Sequence, residues 1–410
     1  MKGKVYHSNV QSRKDPITGV EVLRITDNKG MYDRPYFTTN QFSGDGKYTL
    51  FASDFTGTSK IKDSGAPAVG RVGLGELFTL ELETGKATQV TQGEAIKMGH
   101  GCHALMAPSG KKAYYYSNEE LKVVDLETLE SRPLMHIPFS CTVHSLSITR
   151  DERYIAFTVV EAPEYLSSQF ALNNPVGNPV ARDSFFAGLR SFVVRYDTML
   201  DKMHIVCGGL KQMTHVSLKP DDGDFLLYCH EGPWELVQRM WVARVSTDEQ
   251  TPLIIQQKHL EKVGHEFFTP SCRVGAQYSY RYRADMPFFM HADIYVDIDG
   301  KNEERFYYPH SRPGHVSMNN DDSLAVGDTA ELYAGMRDSS KMISLIRYNR
   351  ETHKVEQSIL CRHDSSGRKS AHVHPVFTPD GSHIVFTSDI EGAINIYMVP
   401  ADASKAVTSF

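Results

Sequence analysis

The chain has 410 residues, of which 40% are hydrophobic and 23% are charged, and its formal net charge is −6. These proportions are typical of a globular protein, and the mixed distribution of charge excludes the basic patch of a nucleic-acid-binding protein. No apolar run is long enough for a transmembrane helix, and the first fifteen residues lack the apolar region of a signal peptide. Six cysteines without a CxxC pair favour reduced thiols, so we expect a cytoplasmic protein that binds neither membranes nor nucleic acid.

A turn followed by an alternating strand recurs along the chain. The first copy is "FSGDGKYTLFASD" (42–54), and the last is "FTPDGSHIVFTSD" (377–389). Five further copies lie at 106–134, 148–161, 218–232, 269–283 and 318–328. The seven turns are about 42 to 71 residues apart, and a four-stranded propeller blade needs about 40–50 residues.

The repeat predicts an all-β fold. We expect residues 1–410 to form a single seven-bladed β-propeller with four-stranded blades, and the N-terminal strand at 20–27 to close the ring. Two stacked β-sandwiches are the alternative, which the uniform turns make less favourable.

Two loop-like insertions account for the longest spacings between turns. One is Gly-rich and covers about 57–75, and the other covers about 162–188. Long loops on a rigid scaffold often carry function or bind partners. The insertions could cap a site, or they could join two copies of the chain in a homo-oligomer. The sequence does not decide between these interpretations.

Histidines recur at one position of the repeat, five to seven residues before the turn, in six of the seven blades. They are His103 (with His100 nearby), His144, His215, His265, His315 and the pair His372 and His374. The first blade has Arg34 and Tyr36 instead. Because the innermost strand of each propeller blade lines the central channel, these side chains are expected to converge. One such histidine is more often structural, whereas a convergent set favours a metal ion, a general base, or both.

Several stretches together resemble the oligogalacturonate lyase family. The most specific are "CHEGPWELVQRMW" (229–241) and "HVHPVFTPDG" (372–381), with "GHEFF" (264–268) and "GHVSMN" (314–319) in support. The resemblance runs over roughly residues 10–400. It implies a seven-bladed propeller that cleaves short galacturonate oligomers from pectin by β-elimination in the cytoplasm, with a divalent metal, typically manganese.

The resemblance also implies roles for individual residues. His315, His372 and His374 would bind the metal, His265 would be the catalytic base, and Arg239 would assist at the scissile bond. The chemistry is consistent with such a set, because removal of the C5 proton of a uronate requires its carboxylate to be neutralised and a base to accept the proton. Candidate contacts to the sugar are Arg34, Tyr36, His103, His144, His215 and Lys369.

Lys369 departs from the family pattern, which places a glutamine ligand three residues before the histidine pair. A protonated lysine cannot bind a cation. The local alignment could slip, the metal could be held by three histidines and water, or the site could be metal-free with Lys369 neutralising the substrate carboxylate.

Other functions remain as alternatives to an oligogalacturonate lyase. A related lyase could act on another uronide, and a TolB-like propeller could bind a ligand without catalysis. The predicted base, arginine and metal ligands favour an enzyme. A prolyl-oligopeptidase-like peptidase is excluded because the chain has no GxSxG nucleophile motif.

Overall fold

The computed structural model describes residues 1–58, 73–138, 141–161, 188–234, 236–309, 312–329, 341–366 and 371–408. The chain divides into two compact units. The first comprises Met1–Lys62, Val72–Met135 and Tyr308–Phe410, and the second comprises Asp63–Arg71 and His136–Tyr307. The predicted all-β class is confirmed: within the described ranges the only helix is the 3₁₀ turn Ala403–Lys405. No helix in those ranges is long and apolar enough to cross a membrane.

The amino-terminal part of the first unit contains two antiparallel sheets. Its strands are β1 Val5–His7, β2 Gln11–Lys14, β3 Glu21–Arg24, β4 Tyr32–Asp33, β5 Tyr48–Ser53, β6 Gly73–Glu81, β7 Lys86–Gln89, β8 Ile96–Met98, β9 Ala104–Met106, β10 Lys112–Ser117, β11 Glu120–Asp125 and β12 Ser131–His136. One sheet has the order β1-β7-β6-β5-β4, with β8 on β6, and the other has the order β12-β11-β10-β9. Buried side chains such as Leu50, Leu77, Ile96 and Tyr115 form one core between them.

The second unit contains three four-stranded antiparallel meanders. Its strands are β13 Cys141–Ile148, β14 Tyr154–Glu161, β15 Ser191–Asp197, β16 Lys202–Gly209, β17 Met213–Lys219, β18 Asp222–His230, β19 Met240–Arg244, β20 Glu249–Pro252, β21 Glu261–Phe268, β22 Val274–Tyr280, β23 Met290–Val296 and β24 Glu304–Tyr307. The three meanders have the strand orders β13-β14-β15-β16, β17-β18-β19-β20 and β21-β22-β23-β24. In each of them every strand pairs with the next strand along the chain. Apolar side chains from neighbouring meanders pack together, as Leu227 and Val242 do against Val263 and Ile294.

The carboxyl-terminal part of the first unit adds a further meander and the last repeat. Its strands are β25 Pro313–Met318, β26 Ala325–Thr329, β27 Met342–Asn349, β28 Lys354–Arg362, β29 Val376–Phe377, β30 His383–Ser388, β31 Asn395–Pro400 and β32 Val407–Thr408. Strands β25 to β28 pair consecutively, and β32 pairs with β28. The last repeat forms a sheet with the order β2-β3-β31-β30-β29, in which Leu23 of β3 lies opposite Met398 of β31.

The turns that identified the repeat have a common hydrogen-bonding pattern. The Ser43 hydroxyl donates to Asp45 Oδ1 at 2.7 Å, and the Thr378 hydroxyl donates to Asp380 Oδ1 at 2.5 Å. The glycine one residue after each aspartate has a φ near +70°. That left-handed conformation favours glycine, which explains why Asp-Gly marks these turns.

A β-bulge interrupts the first strand of every meander in the second unit. The register shifts after His144 in β13, after Thr214 in β17 and after Gly264 in β21. The next residues are Ser145, His215 and His265, whose φ angles are 53°, 52° and 51°. A bulge redirects a side chain out of the regular alternation of a strand. The bulges in β17 and β21 therefore position the side chains of His215 and His265. In β13 the residue at the same position of the bulge is Ser145, not His144.

Candidate active-site residues

Three histidines of the first unit lie together. His315 is on β25, and His372 and His374 immediately precede β29. One ring nitrogen of each histidine can be chosen so that the three nitrogen atoms lie within 4.8 Å of one another. The ring centroids are 4.4 Å apart for His315 and His374, and 5.2 Å apart for His372 and His374. These histidines, predicted as metal ligands, are called the three-histidine cluster below.

Asp328 orients His315. Its Oδ2 lies 2.9 Å from Nδ1 of His315, and its Oδ1 accepts the backbone N–H of His315 at 2.6 Å. Burial alone would raise the pKa of Asp328, but the adjacent His315 and the bonds it donates lower it to about 2. The ionised carboxylate therefore holds a proton on Nδ1 and leaves Nε2 of His315 as the nitrogen that can bind a ligand.

His372 and His374 are held in their neutral form. Burial is the largest cause that lowers the pKa of His372, to about 4, and the neighbouring His100 and His315 act in the same direction. Burial, followed by His315 and His372, lowers the pKa of His374 well below its ordinary value. Nε2 of His374 is buried and has no hydrogen-bond partner among the described residues. Neutral imidazoles with an unsatisfied buried nitrogen are suited to a divalent cation, so the residues present fit the predicted metal.

Arg34 and Tyr36, predicted to contact the sugar, both lie against the three-histidine cluster. Arg34 is only 2% exposed. Its guanidinium donates to the carbonyl of His374 at 2.8 Å and to Gln41 Oε1 at 2.6 Å. Tyr36 is half-buried, and its ring centroid is 4.8 Å from that of His374. Because His374 has a left-handed φ of 45°, the bond from Arg34 helps to hold a strained segment of backbone.

His103 lies in the first unit, on the loop that leads into β9. Its backbone N–H donates to the carbonyl of Lys97 at 3.2 Å, and its carbonyl accepts the N–H of Tyr116 at 3.0 Å. The side chain is half-buried. Its contact with substrate stays a prediction.

His265, the predicted base, lies on the bulge of β21 in the second unit. Its Nδ1 is 2.7 Å from Oε1 of Gln277, and the edge of its ring packs against Trp234 with centroids 5.5 Å apart. Gly264 allows this packing, because a Cβ at that position would lie 2.6 Å from the Trp234 ring. Since the amide oxygen of Gln277 accepts a hydrogen bond from the protonated Nδ1, Nε2 of His265 keeps its lone pair and can act as a base.

Arg239 is buried between two carboxylates in the second unit. It is 1% exposed, its Nη1 lies 3.0 Å from Glu231 Oε2, and its Nε lies 3.3 Å from Glu266 Oε2. Burial alone would lower the pKa of Arg239. Cys229 and the two carboxylates outweigh burial and raise this pKa well above its ordinary value. The guanidinium also lies over the ring of Trp234, at 4.9 Å from its centroid.

His215 and His144 also lie in the second unit. Nε2 of His215 is 3.4 Å from Glu231 Oε1, so Glu231 links His215 to Arg239. Thr214 donates a hydrogen bond to the same carboxylate at 2.8 Å. His144 is half-buried, and its carbonyl accepts a bond from the Thr158 hydroxyl at 3.2 Å. Their contact with substrate stays a prediction.

Lys369 lies outside the described residues, so the three interpretations of that position stay open. Of the two predicted insertions, residues 59–72 and 162–187 also lie outside them.

Comparisons with known proteins identify the family. A family model described as oligogalacturonate lyase matches residues 1–405. The chain belongs to the oligogalacturonate lyase family. The oligogalacturonate lyase of Dickeya dadantii is 26% identical to it over 413 residues, which cover 97% of each chain. The family predicted from the sequence is therefore confirmed, and the protein is an enzyme of the polysaccharide lyase class.

Solved oligogalacturonate lyases have a similar fold. One, solved in complex with manganese, has a TM-score of 0.79 and 22% identity, and the match covers 98% of this chain and 99% of that chain. Another, from Vibrio parahaemolyticus, has the same TM-score and identity and covers 99% and 100%. At this level of identity the similarity concerns the fold alone.

Sequence reasoning assigned no role to four residues that contact the predicted metal ligands or Arg239. They are His100, Glu231, Glu266 and Asp328. Glu231 and Glu266 lie within motifs that were recognised, and Glu266 directly follows His265 in the chain. Asp328 is opposite His315 in the β25–β26 pair, and a hairpin prediction with the correct register could have found it.

Proposed function

We propose that this lyase cleaves short oligogalacturonates, the acidic fragments of pectin, by β-elimination. The observation that carries the proposal is the three-histidine cluster, with His315 oriented by Asp328 and His374 left with an unpartnered buried nitrogen. Family membership supports the substrate class. Free cysteines throughout the described residues are consistent with action in the cytoplasm.

The proposal includes a single seven-bladed β-propeller over residues 1–410, closed by the N-terminal strand. Its support is the pairing of β3 with β31 and the repeated meander of four antiparallel strands. Propeller rings are often closed by pairing a strand from one end of the chain with strands from the other.

In this proposal His315, His372 and His374 would hold a divalent cation, with manganese the first choice. When bound, that cation would supply Lewis-acid neutralisation of the uronate carboxylate. The chain's own residues prepare the site, because Asp328 selects the tautomer of His315 and burial keeps His372 and His374 unprotonated. Three protein ligands leave positions open for substrate.

His265 is the proposed base that removes the C5 proton. Gln277 favours the tautomer in which Nε2 is unprotonated, and Trp234 limits rotation of the ring. Arg239 would donate through Nη2 to a carboxylate or to an oxygen that gains charge, since Glu266 accepts from Nε and Glu231 accepts from Nη1. The elimination breaks the C5–H bond and the C4–O bond and forms a C4–C5 double bond.

The test is an assay of purified protein with digalacturonate and trigalacturonate, following the ultraviolet absorbance of the unsaturated product. Manganese should support the reaction, and a chelator should abolish it. His265→Ala should lower kcat by about 10²- to 10⁴-fold, because a general base contributes about that factor. An exposed histidine of the same unit, His204, provides the control His204→Ala, which should leave kcat unchanged.

Two results would change the proposal. Activity that persists with chelator but is lost in His265→Ala would select the metal-free alternative that the sequence leaves open at Lys369. No unsaturated product from these or other uronides would overturn the lyase mechanism.

A further inference from the structure

His100 lies beside the three-histidine cluster in the first unit. Its ring centroid is 4.1 Å from that of His372, with an angle of 65° between the rings. The cluster therefore has a fourth imidazole next to it, and no role has been assigned to that side chain.

His100 lies on a strained turn. His100 has a φ of 60°, and Gly99 and Gly101 on either side have a φ of 98°. The N–H of Gly99 donates to Asp33 Oδ2 at 2.6 Å, and the N–H of Cys102 donates to the carbonyl of Arg34 at 2.9 Å. A left-handed histidine costs conformational energy, and such residues cluster where a ligand binds.

The four imidazoles differ in exposure, and His100 is the most exposed of them. His374 is 4% exposed and His315 is 9% exposed, whereas His372 is half-buried and His100 is exposed. Exposure therefore rises from His374 through His372 to His100. His100 is therefore the imidazole beside the three-histidine cluster that solvent reaches most freely.

We propose that His100 is a substrate-binding residue, whose imidazole N–H donates a hydrogen bond to a carboxylate of the galacturonate chain. This inference rests on the proposed function, because it takes the substrate from that proposal. His100 is distinct from the three proposed ligands, since its ring lies against the outer, more exposed member of the cluster. Its turn is hydrogen-bonded to Asp33 and Arg34, so it places a donor beside His372 without a further cost of ordering a loop.

The experiment compares the wild type with His100→Asn. Asparagine tolerates the left-handed conformation, but its side chain is too short to make the hydrogen bond proposed for the imidazole. KM for trigalacturonate should rise about tenfold with kcat changed less than about threefold, as expected for the loss of one hydrogen bond to a charged group. Calorimetric titration with manganese should give the same affinity in both proteins. His353→Asn is the matched control, because His353 is an exposed histidine of the same unit with a φ of 53°.

The outcomes separate this inference from the proposed function. Wild-type protein that neither binds nor cleaves trigalacturonate would reject the proposed function itself. An active wild type with an unchanged KM in His100→Asn would reject substrate binding by His100. A fall in manganese affinity would also reject it, and would identify His100 as a metal ligand. His100→Gln, which restores reach and an N–H donor, should recover part of the KM increase.

Discussion

Single side chains in this lyase are held by partners that fix both their orientation and their charge. Asp328 does this for His315 with two bonds, and Glu231 and Glu266 do it for Arg239. Asp328 and Glu266 are buried and Glu231 is half-buried, and each accepts bonds from the group that is proposed to act. Such partners preserve the geometry of a site, since an unpaired buried charge or an unconstrained imidazole would be costly or mobile.

Asp328→Asn should weaken manganese binding about 10- to 100-fold, which is the usual effect of removing the carboxylate partner of a histidine ligand. Asparagine can no longer stabilise the required tautomer of His315 by its charge. Calorimetric titration with manganese measures the effect without reference to activity. The control is Asp321→Asn in an exposed hairpin turn of the same unit. Equal affinity in wild type and Asp328→Asn would contradict the assignment of His315 as a ligand.

Short irregular elements, rather than regular strands, present the candidate residues. His215 and His265 lie on bulges, and His100 lies in a turn between two left-handed glycines. The regular strands beside them supply the buried cores that hold these irregular segments in place. Strain at these positions is therefore supported by the surrounding packing.

Gly101→Ala should destabilise the protein more than Gly93→Ala. Both glycines have a left-handed φ, 98° and 80° respectively, so each substitution costs about 1–2 kcal/mol of backbone strain. At position 101 the added Cβ would also lie 2.6 Å from the backbone nitrogen of Tyr36, whereas at position 93 nothing lies within 4 Å. Urea denaturation of the two variants compares these costs. Equal losses in the free energy of unfolding would show that the contact with Tyr36 is relieved without strain.

The repeat was predictable from sequence because its turns need glycine and aspartate at fixed positions. The bulges were not, because a bulge depends on how two strands pair, and His144 was accordingly assigned the position that Ser145 occupies. The predicted metal ligands do come together in space. The partners Asp328, Glu231 and Glu266 come from other strands or other parts of a motif, and pairing brings them into contact.

At the scale of the whole molecule, the buried and half-buried histidines His230, His363 and His372 link stability to pH. Burial lowers the pKa of His230 and His363 to about 4, and burial together with neighbouring histidines does the same for His372. In the unfolded chain a histidine has a pKa of about 6.5. Between these values the unfolded chain binds protons that the folded protein does not, so the folded state loses stability as the pH falls.

The free energy of unfolding should therefore decrease as the pH is lowered from about 6.5 to about 4, measured by urea denaturation with chelator present. His363→Gln should reduce the slope by up to about 1.4 kcal/mol per pH unit, the value for one proton. His353→Gln removes an exposed histidine and should leave the slope nearly unchanged. A slope in His363→Gln equal to that of the wild type would contradict the burial of a neutral imidazole at this position.

The amino-acid sequence by itself determined the all-β class, the repeated turn-and-strand unit and the family, because turn chemistry, strand alternation and short motifs are local properties of the chain. It also identified the three histidines that lie together and the candidate base and arginine. Tertiary structure alone decided which carboxylates orient His315 and Arg239, which nitrogen of His315 and of His265 is available, and that His100 lies against His372. These properties depend on strand register and burial, and both arise from contacts between residues that are distant in the chain.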